Sequence, residues 1–360
     1  MKTVVTGLMI AIGASSSLAQ DEVKVLTASE LEALKSQMPI EAENAYNAGI
    51  ADYQSKNYNG AITNFSSAID VYPQFEKAFF NRGMTYFALN KQAEGVQDLL
   101  KAHELNPKSG ESLFQIGLNY EKQGDKENAL NYFGKAIEAN GKETKFLYKR
   151  SLILFQDKNF DQALADLNAI IKVDPNYAYA YNDRGSIYKE QGKMDDAIAD
   201  YKKATTLDKS LKIAFNNLGS AYRKKGDFDK AIEAYNSAIA LDKNFHLAIN
   251  NRGYAKFEKG DLAGALADFD EVIKLKPDYA PAYNNKASVL IKQEKYEEAV
   301  KACDAAIKNN NAFGPAYYNR GIAYEMLRND KQACEDWSKA AELGIEAAGS
   351  YYSNSECYNF

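Results

Sequence analysis

The sequence has 360 residues, of which 46% are hydrophobic and 12% aromatic, and it carries a formal net charge of −5. This is the composition of a globular protein with ample core material, and not that of a disordered or collagen-like chain. An acidic balance argues against a nucleic-acid partner. With two His and three Cys, all three Cys after position 300, the chain has no His-rich metal site, zinc ribbon or disulfide-dense scaffold. No cofactor or metal is predicted.

Residues 1–19 have the pattern of a secretory signal peptide. Lys2 precedes an uncharged stretch from Thr3 to Leu18, and Ser17-Leu18-Ala19 supplies the small residues of a cleavage site. The stretch is shorter than the roughly 20 apolar residues that a membrane span needs. We therefore predict cleavage after Ala19, an exported protein that is periplasmic or secreted, with a bacterial envelope preferred, and no transmembrane segment in the mature chain.

Residues 20–41 form a separate N-terminal segment. Thr27-Ala28-Ser29-Glu30 is a capping box, the arrangement in which a Thr and a Glu three residues later satisfy the first amides of a helix. Apolar residues follow it at helical spacing. We predict a short helix over 28–38 that covers the first unit of the region described next.

An internal repeat of 34 residues explains most of the remaining chain. The fragments that begin at Tyr181, Phe215 and Ile249 align without a gap, and the same register extends in both directions. It defines nine repeats, numbered here from 1 to 9: 42–75, 76–109, 110–143, 144–177, 178–211, 212–245, 246–279, 280–313 and 314–347.

The pattern within each repeat predicts two packed helices. Positions 8 and 20 are small in every repeat and position 24 is large in most, so two helices can approach closely around one large side chain. Proline at position 32 in four repeats marks the end of the second helix. A last helix is predicted over 344–353, followed by a tail to residue 360.

This pattern resembles the tetratricopeptide repeat family, and the end of the chain, 333–348, resembles exported bacterial members. The resemblance implies an all-α fold, a right-handed superhelical solenoid of helix–turn–helix repeats with short capping helices at both ends. It also implies that positions 2, 5, 9 and 12 of each first helix line a concave groove. We call these positions the groove face.

Two charged positions vary together. Position 7 is Arg in five repeats, and position 23 is Asp in the same five. A buried Arg without a partner is costly, so we predict ion pairs between the two helices of each repeat. The alternative is an Arg ladder that recognises an acidic ligand. The predicted pairs are Arg82–Asp98, Arg150–Asp166, Arg184–Asp200, Arg252–Asp268 and Arg320–Asp336.

Cys334 and Cys357 lie 23 residues apart, at the last repeat and beyond the predicted final helix. In an oxidising compartment we predict that they form a disulfide that fastens the C-terminal cap. Cys303 replaces a large residue at position 24 and is predicted to be a buried thiol.

The groove face changes character near residue 178. In repeats 1–4, positions 5, 9 and 12 are apolar or aromatic with one exception, whereas in repeats 5–8 they are mostly polar. An exposed aromatic run predicts a partner site, and the alternative is that the rings pack between repeats. Residues 20–41 are a further candidate occupant. The eleven candidate residues are Tyr46, Ile50, Tyr53, Phe80, Met84, Phe87, Phe114, Leu118, Tyr148, Leu152 and Phe155.

Position 6 carries a line of asparagines, Asn217, Asn251, Asn285 and Asn319, one repeat apart. An amide side chain both donates and accepts, so it can pair with a peptide group. The line is similar to the asparagine ladder by which some members of the family hold extended polypeptide. The alternative is that these side chains serve the packing of the repeats.

The sequence contains no catalytic constellation: it has no P-loop, HExxH or GxSxG motif. We therefore predict a non-enzymatic scaffold or adaptor that binds an extended peptide or a partner helix in its groove. Two alternatives stay open: a holdase-like periplasmic chaperone, and a structural component of an envelope assembly. The sequence leaves the oligomeric state undetermined.

Overall fold

The structure is a computed structural model that describes residues 38–354 and Cys357. The predicted signal peptide over 1–19 and the predicted helix over 28–38 lie outside the described residues, apart from Met38. The chain divides into two compact units, 1–107 and 108–360, and each is described by itself. The described residues contain nineteen helices and no strand, which confirms the all-α fold class.

The first compact unit consists of two helical hairpins, which correspond to repeats 1 and 2. Its helices are α1 (Ile40–Gln54), α2 (Tyr58–Val71), α3 (Glu76–Ala88) and α4 (Gln92–Leu105). Each helix packs against the one before it along the chain.

The second compact unit continues the pattern with seven hairpins and a final helix. The hairpins are α5 (Glu111–Lys122) with α6 (Lys126–Ala139), α7 (Thr144–Gln156) with α8 (Phe160–Val173), α9 (Ala178–Glu190) with α10 (Met194–Leu207), α11 (Lys212–Lys224) with α12 (Phe228–Leu241), α13 (His246–Lys259) with α14 (Leu262–Leu275), α15 (Ala280–Lys292) with α16 (Tyr296–Asn309), and α17 (Gly314–Met326) with α18 (Asp330–Glu342). Helix α19 (Glu346–Asn354) lies close to the predicted 344–353 and packs against α18.

The turn inside every repeat uses the same backbone conformation. Position 15 has a positive φ in all nine repeats, including Lys158 at 59° and Gly192 at 76°. This left-handed conformation ends the first helix and is disfavoured for residues with a Cβ. Only four of the nine residues are Gly, so five repeats adopt the turn at some energetic cost.

Close packing inside each hairpin depends on the small residue at position 8. A Cβ added to Gly219 would lie 2.6 Å from the ring of Tyr235, and one added to Gly321 would lie 2.5 Å from the indole of Trp337. Both rings are at position 24 and at most 1% exposed. The glycine therefore allows the large side chain of the second helix to lie directly on the first helix.

The C-terminal end is held by a disulfide between Cys334 on α18 and Cys357, with their Cα atoms 5.4 Å apart. Both cysteines are buried in a cluster with Trp337 and Ala348. The bond thus joins the residues that follow α19 to the last hairpin. Among the described helices, none is long and apolar enough to cross a membrane.

Candidate functional site

The structure brings together all five predicted Arg–Asp pairs. In each pair the Arg Nε and Nη2 donate to the two carboxylate oxygens over 2.6–2.9 Å. The Asp side chains are only 3–8% exposed. The hydrogen bonds to Asp98, Asp166 and Asp200 raise the pKa of their arginine partners. Each arginine charge is neutralised by the aspartate of the same hairpin, so little positive charge is left to bind an acidic ligand.

Four of the five arginines have a second partner, which was not predicted from the sequence. Arg184 Nη1 donates to Asn168 Oδ1 at 2.6 Å, and Asn168 is at position 25 of the preceding repeat. The same bond joins Arg82 to Ser66, Arg252 to Asn236 and Arg320 to Asp304. Each of these arginines thus joins its own hairpin to the preceding one. The sequence does indicate this bond, because position 25 is polar in every repeat that accepts it.

The predicted aromatic half of the groove face is largely packed against other repeat residues. All eleven residues are buried or half-buried, and Phe87 and Phe114 are only 9% and 6% exposed. In the first compact unit, the ring of Tyr46 lies 4.8 Å from that of Phe75. In the second, the ring of Phe114 lies 4.7 Å from that of Phe146 in the next repeat. This geometry favours packing of the rings, within a repeat for Tyr46 and between repeats for Phe114, over an exposed binding strip.

The line of asparagines also connects repeats. Asn217 Nδ2 donates to Asn182 Oδ1 at 3.0 Å, which joins position 6 of one repeat to position 5 of the repeat before it. Asn251, Asn285 and Asn319 donate in the same way to the preceding repeat over 2.8–3.1 Å. All four are half-buried, and the oxygen of an amide side chain can still accept a hydrogen bond while its nitrogen donates one. Their first role in the structure is to join neighbouring repeats.

A row of exposed apolar side chains runs along the second compact unit, where the second helix of one repeat ends and the first helix of the next begins. Its members are 37–48% exposed and stand at positions 30 and 2. We call this set the apolar row. It consists of Val173, Tyr179, Ile213, Leu241, Leu247 and Leu275.

Three members of the apolar row share a cavity. Tyr179, Ile213 and Leu241 line a depression of about 480 Å³, together with Leu211 and the ion pair of Lys212 with Asp242 at 2.6 Å. Tyr179 and Ile213 are at position 2, which belongs to the predicted groove face. The row is not visible along any single helix, because it combines side chains from the end of one helix with side chains from the beginning of another.

The described residues hold no group of three or more His, Cys, Asp or Glu that could bind a metal ion. Cys303 is buried, and burial raises the pKa of its thiol, so it stays protonated at neutral pH.

Comparisons with known proteins agree with this architecture. Family models for the tetratricopeptide repeat match residues 76–109, 114–178, 185–224, 213–245, 250–312 and 284–351. A search of curated proteins found no match.

Solved structures show the same fold. A tetratricopeptide repeat protein from Parabacteroides merdae ATCC 43184 has a TM-score of 0.59 and 17% identity, over 68% of this chain and 98% of that one. PilF of Pseudomonas aeruginosa has a TM-score of 0.51 and 17% identity, over 60% of this chain and 100% of that one. At this identity the likeness concerns the fold alone.

Proposed function

Because this chain belongs to the tetratricopeptide repeat family, whose fold serves as a protein–protein interaction scaffold, we propose that it is a non-enzymatic adaptor of the exported compartment. It binds an extended segment of a partner protein along the second compact unit. Nucleic acid is not a partner in this proposal, since the chain is acidic.

The apolar row carries this proposal. Six apolar side chains at least 37% exposed recur in register over neighbouring repeats, and three of them line one depression. Exposed apolar side chains that cluster in this way are typical of a protein contact. Packed helices lie about 10 Å apart, whereas an extended chain advances about 3.3 Å per residue. A bound segment that crosses the helices would therefore place about every third side chain over the next helix.

Two features support the exported location. Residues 1–19 have the pattern of a secretory signal, and the Cys334–Cys357 disulfide suits an oxidising compartment such as the periplasm. Comparison of the mature N-terminus of the exported protein with Ala19-Gln20 would test the first. A protein that stays in the cytoplasm with Met1 intact would contradict the location.

The binding site is tested by quantitative capture from envelope extract with residues 20–360 as bait. The test variant carries Ile213→Ser and Leu247→Ser in the apolar row. The matched control carries Met326→Ser, since Met326 is 50% exposed but lies outside the row. We expect a few proteins to bind the parent and the control and to be lost from the test variant.

The other outcomes decide between the alternatives. Equal capture by all three baits would refute the apolar row as the binding site. Capture of many unrelated unfolded proteins, lost with the test variant, would favour the holdase-like chaperone. A mass in solution that rises with protein concentration would favour a component of an envelope assembly.

A further inference from the structure

Positive charge follows the apolar row. The edge of the second compact unit that carries the row consists of the last six residues of one repeat and the first two of the next: 172–179, 206–213, 240–247 and 274–281. These four stretches contain six Lys and four Asp, and no Glu or Arg, whereas the whole chain has a formal net charge of −5. The edge therefore has an excess of positive charge on an acidic protein.

The lysines and aspartates of this edge differ in exposure and in bonding. Four lysines are exposed and belong to no ion pair of the described residues: Lys172, Lys209, Lys243 and Lys274. Three aspartates are half-buried and accept a hydrogen bond from the backbone amide two residues further on, over 2.8–3.0 Å: Asp174, Asp208 and Asp242. The fourth, Asp278, is exposed and stands two residues after Lys276. An approaching chain therefore meets mainly ammonium groups that have no partner.

Two of the exposed lysines flank the depression of about 480 Å³. Lys209 directly precedes Ser210, which lines the depression. Lys243 directly follows Asp242, which lines it from the next repeat boundary. The carboxylate of Asp242 is already paired with Lys212 at 2.6 Å. The depression thus combines an apolar lining with two uncompensated positive charges at its rim.

We propose that the apolar row binds a partner segment in which acidic residues stand beside the apolar ones, with one apolar side chain in the depression and a carboxylate near Lys209 and Lys243. This inference rests on the proposed function and specifies the chemistry of the segment. Unlike the arginines of position 7, these lysines keep their charge for a ligand. Complementary charge across an interface determines which partner is accepted, while the burial of apolar side chains supplies affinity.

Exposed apolar and basic side chains together are also compatible with an anionic membrane surface. The shape of the edge favours a protein segment, because Tyr179, Ile213 and Leu241 line a depression that a side chain can enter. A lipid surface instead requires apolar side chains that insert into the bilayer. Phosphatidylglycerol vesicles therefore serve as the competing probe.

The test uses residues 20–360 and three peptides of equal length with blocked ends. Each peptide has Leu at every third position, the residue beside each Leu is Glu, Gln or Lys, and Ser fills the remaining positions. Isothermal titration calorimetry measures the dissociation constants. We expect the Glu peptide to bind about tenfold more tightly than the Gln peptide, and the Lys peptide to bind most weakly. An increase of NaCl from about 0.05 to about 0.5 M should weaken binding of the Glu peptide and leave that of the Gln peptide unchanged.

The decisive variant carries Lys209→Gln and Lys243→Gln. We expect it to bind the Glu and Gln peptides equally, with the affinity for the Gln peptide unchanged. The matched control carries Lys224→Gln and Lys292→Gln, two exposed lysines without an ion pair among the described residues, each at the last residue of its helix. Since α11 begins at Lys212, Lys224 lies about 18 Å along the helix from the edge, and the control should keep the preference for the Glu peptide. An equal loss of preference in both variants would overturn the subsite.

The subsite and the proposed function fail in different ways. Loss of capture with Ile213→Ser and Leu247→Ser, together with equal binding of the Glu and Gln peptides to the parent, would keep the adaptor and refute the acidic segment. The same holds if the Glu peptide shows no saturable binding up to about 1 mM. Vesicle binding that is lost with Ile213→Ser and Leu247→Ser, in the absence of peptide binding, would assign the edge to a membrane and overturn the proposal.

Discussion

Repeat 6 shows how the Arg–Asp pair can be replaced, and it gives a sharp test of the pair's role. Repeat 6 carries Leu218 and Ala234 at positions 7 and 23, and both are buried. Repeat 5 carries Arg184 and Asp200 at the same positions, joined by two hydrogen bonds of 2.7 and 2.8 Å. The test introduces Arg184→Leu and Asp200→Ala into repeat 5, singly and together.

The expected changes in the free energy of unfolding follow from the burial of the two side chains. The Asp200 side chain is 8% exposed and that of Arg184 is 19% exposed, so each single substitution leaves a poorly hydrated charge without its partner. Breaking a buried pair costs about 3–5 kcal/mol, so Arg184→Leu, which leaves the buried Asp200, should cost about 3 kcal/mol, whereas Asp200→Ala, which leaves the more exposed Arg184, should cost about 2 kcal/mol. An apolar replacement of both partners is often nearly neutral, so we expect the double variant to lose about 1 kcal/mol and the coupling energy to be about 4 kcal/mol.

The measurement is urea unfolding followed by circular dichroism and fitted with a nearest-neighbour model, because long repeat arrays do not unfold as a single two-state unit. Hydrogen exchange of the amides of α9 and α10 locates the loss. The control cycle uses Lys101→Leu and Glu104→Ala, an exposed pair at 2.8 Å, for which we expect a coupling of about 0.3 kcal/mol. A coupling energy below about 0.5 kcal/mol for Arg184 and Asp200 would refute the reasoning.

Three further predictions concern the turn, the cap and the acid Asp183. Lys158→Gly removes the steric cost of a Cβ in the left-handed conformation and should stabilise the protein by about 1 kcal/mol. Gly192→Ala at the equivalent position should destabilise it by about as much. Urea midpoints of the two variants that move in the same direction would contradict this. Reduction of Cys334–Cys357, which are 23 residues apart, should cost roughly 3 kcal/mol on a chain-entropy estimate and increase hydrogen exchange first in α18 and α19; unchanged exchange there would show that the disulfide does not stabilise the cap. Because burial raises the pKa of Asp183 in the folded state, its ionisation should lower stability as the pH rises from the ordinary carboxyl pKa through the raised one. Asp183→Asn should remove that fall, and parallel pH–stability curves for the two proteins would contradict the assignment.

The hairpin architecture could be read from the sequence because the same positions recur in nine copies. Arg184 and Asp200 could be paired for the same reason: the two residue types occur together in five repeats and are absent together in four. Chance rarely produces such agreement, and the physical cost of an unpaired buried charge explains it. Asn168, the second partner of Arg184, could have been predicted only by comparing position 25 of one repeat with position 7 of the next.

The binding surface was harder to predict because burial at the groove face depends on contacts between repeats. The sequence shows that Phe114 is aromatic, but only the structure shows that Phe146 of the next repeat covers it. Conversely, Ile213 and Leu241 lie 28 positions apart within one repeat, yet their side chains face one cavity. A pattern read along single helices does not reveal a surface made from the end of one helix and the beginning of another.

The absence of an arginine from position 7 of repeat 6 also affects how the second compact unit responds to its solvent. Where Arg320 donates to Asp304 of the preceding repeat, the junction contains an ion pair, so it weakens as salt screens the charges. Between repeats 5 and 6, Leu218 instead joins a buried cluster with Tyr201 and Tyr222. Sulfate strengthens such apolar burial. The chain should therefore unfold first at different junctions in chloride and in sulfate. The salt present then determines which repeats unfold together as one cooperative unit.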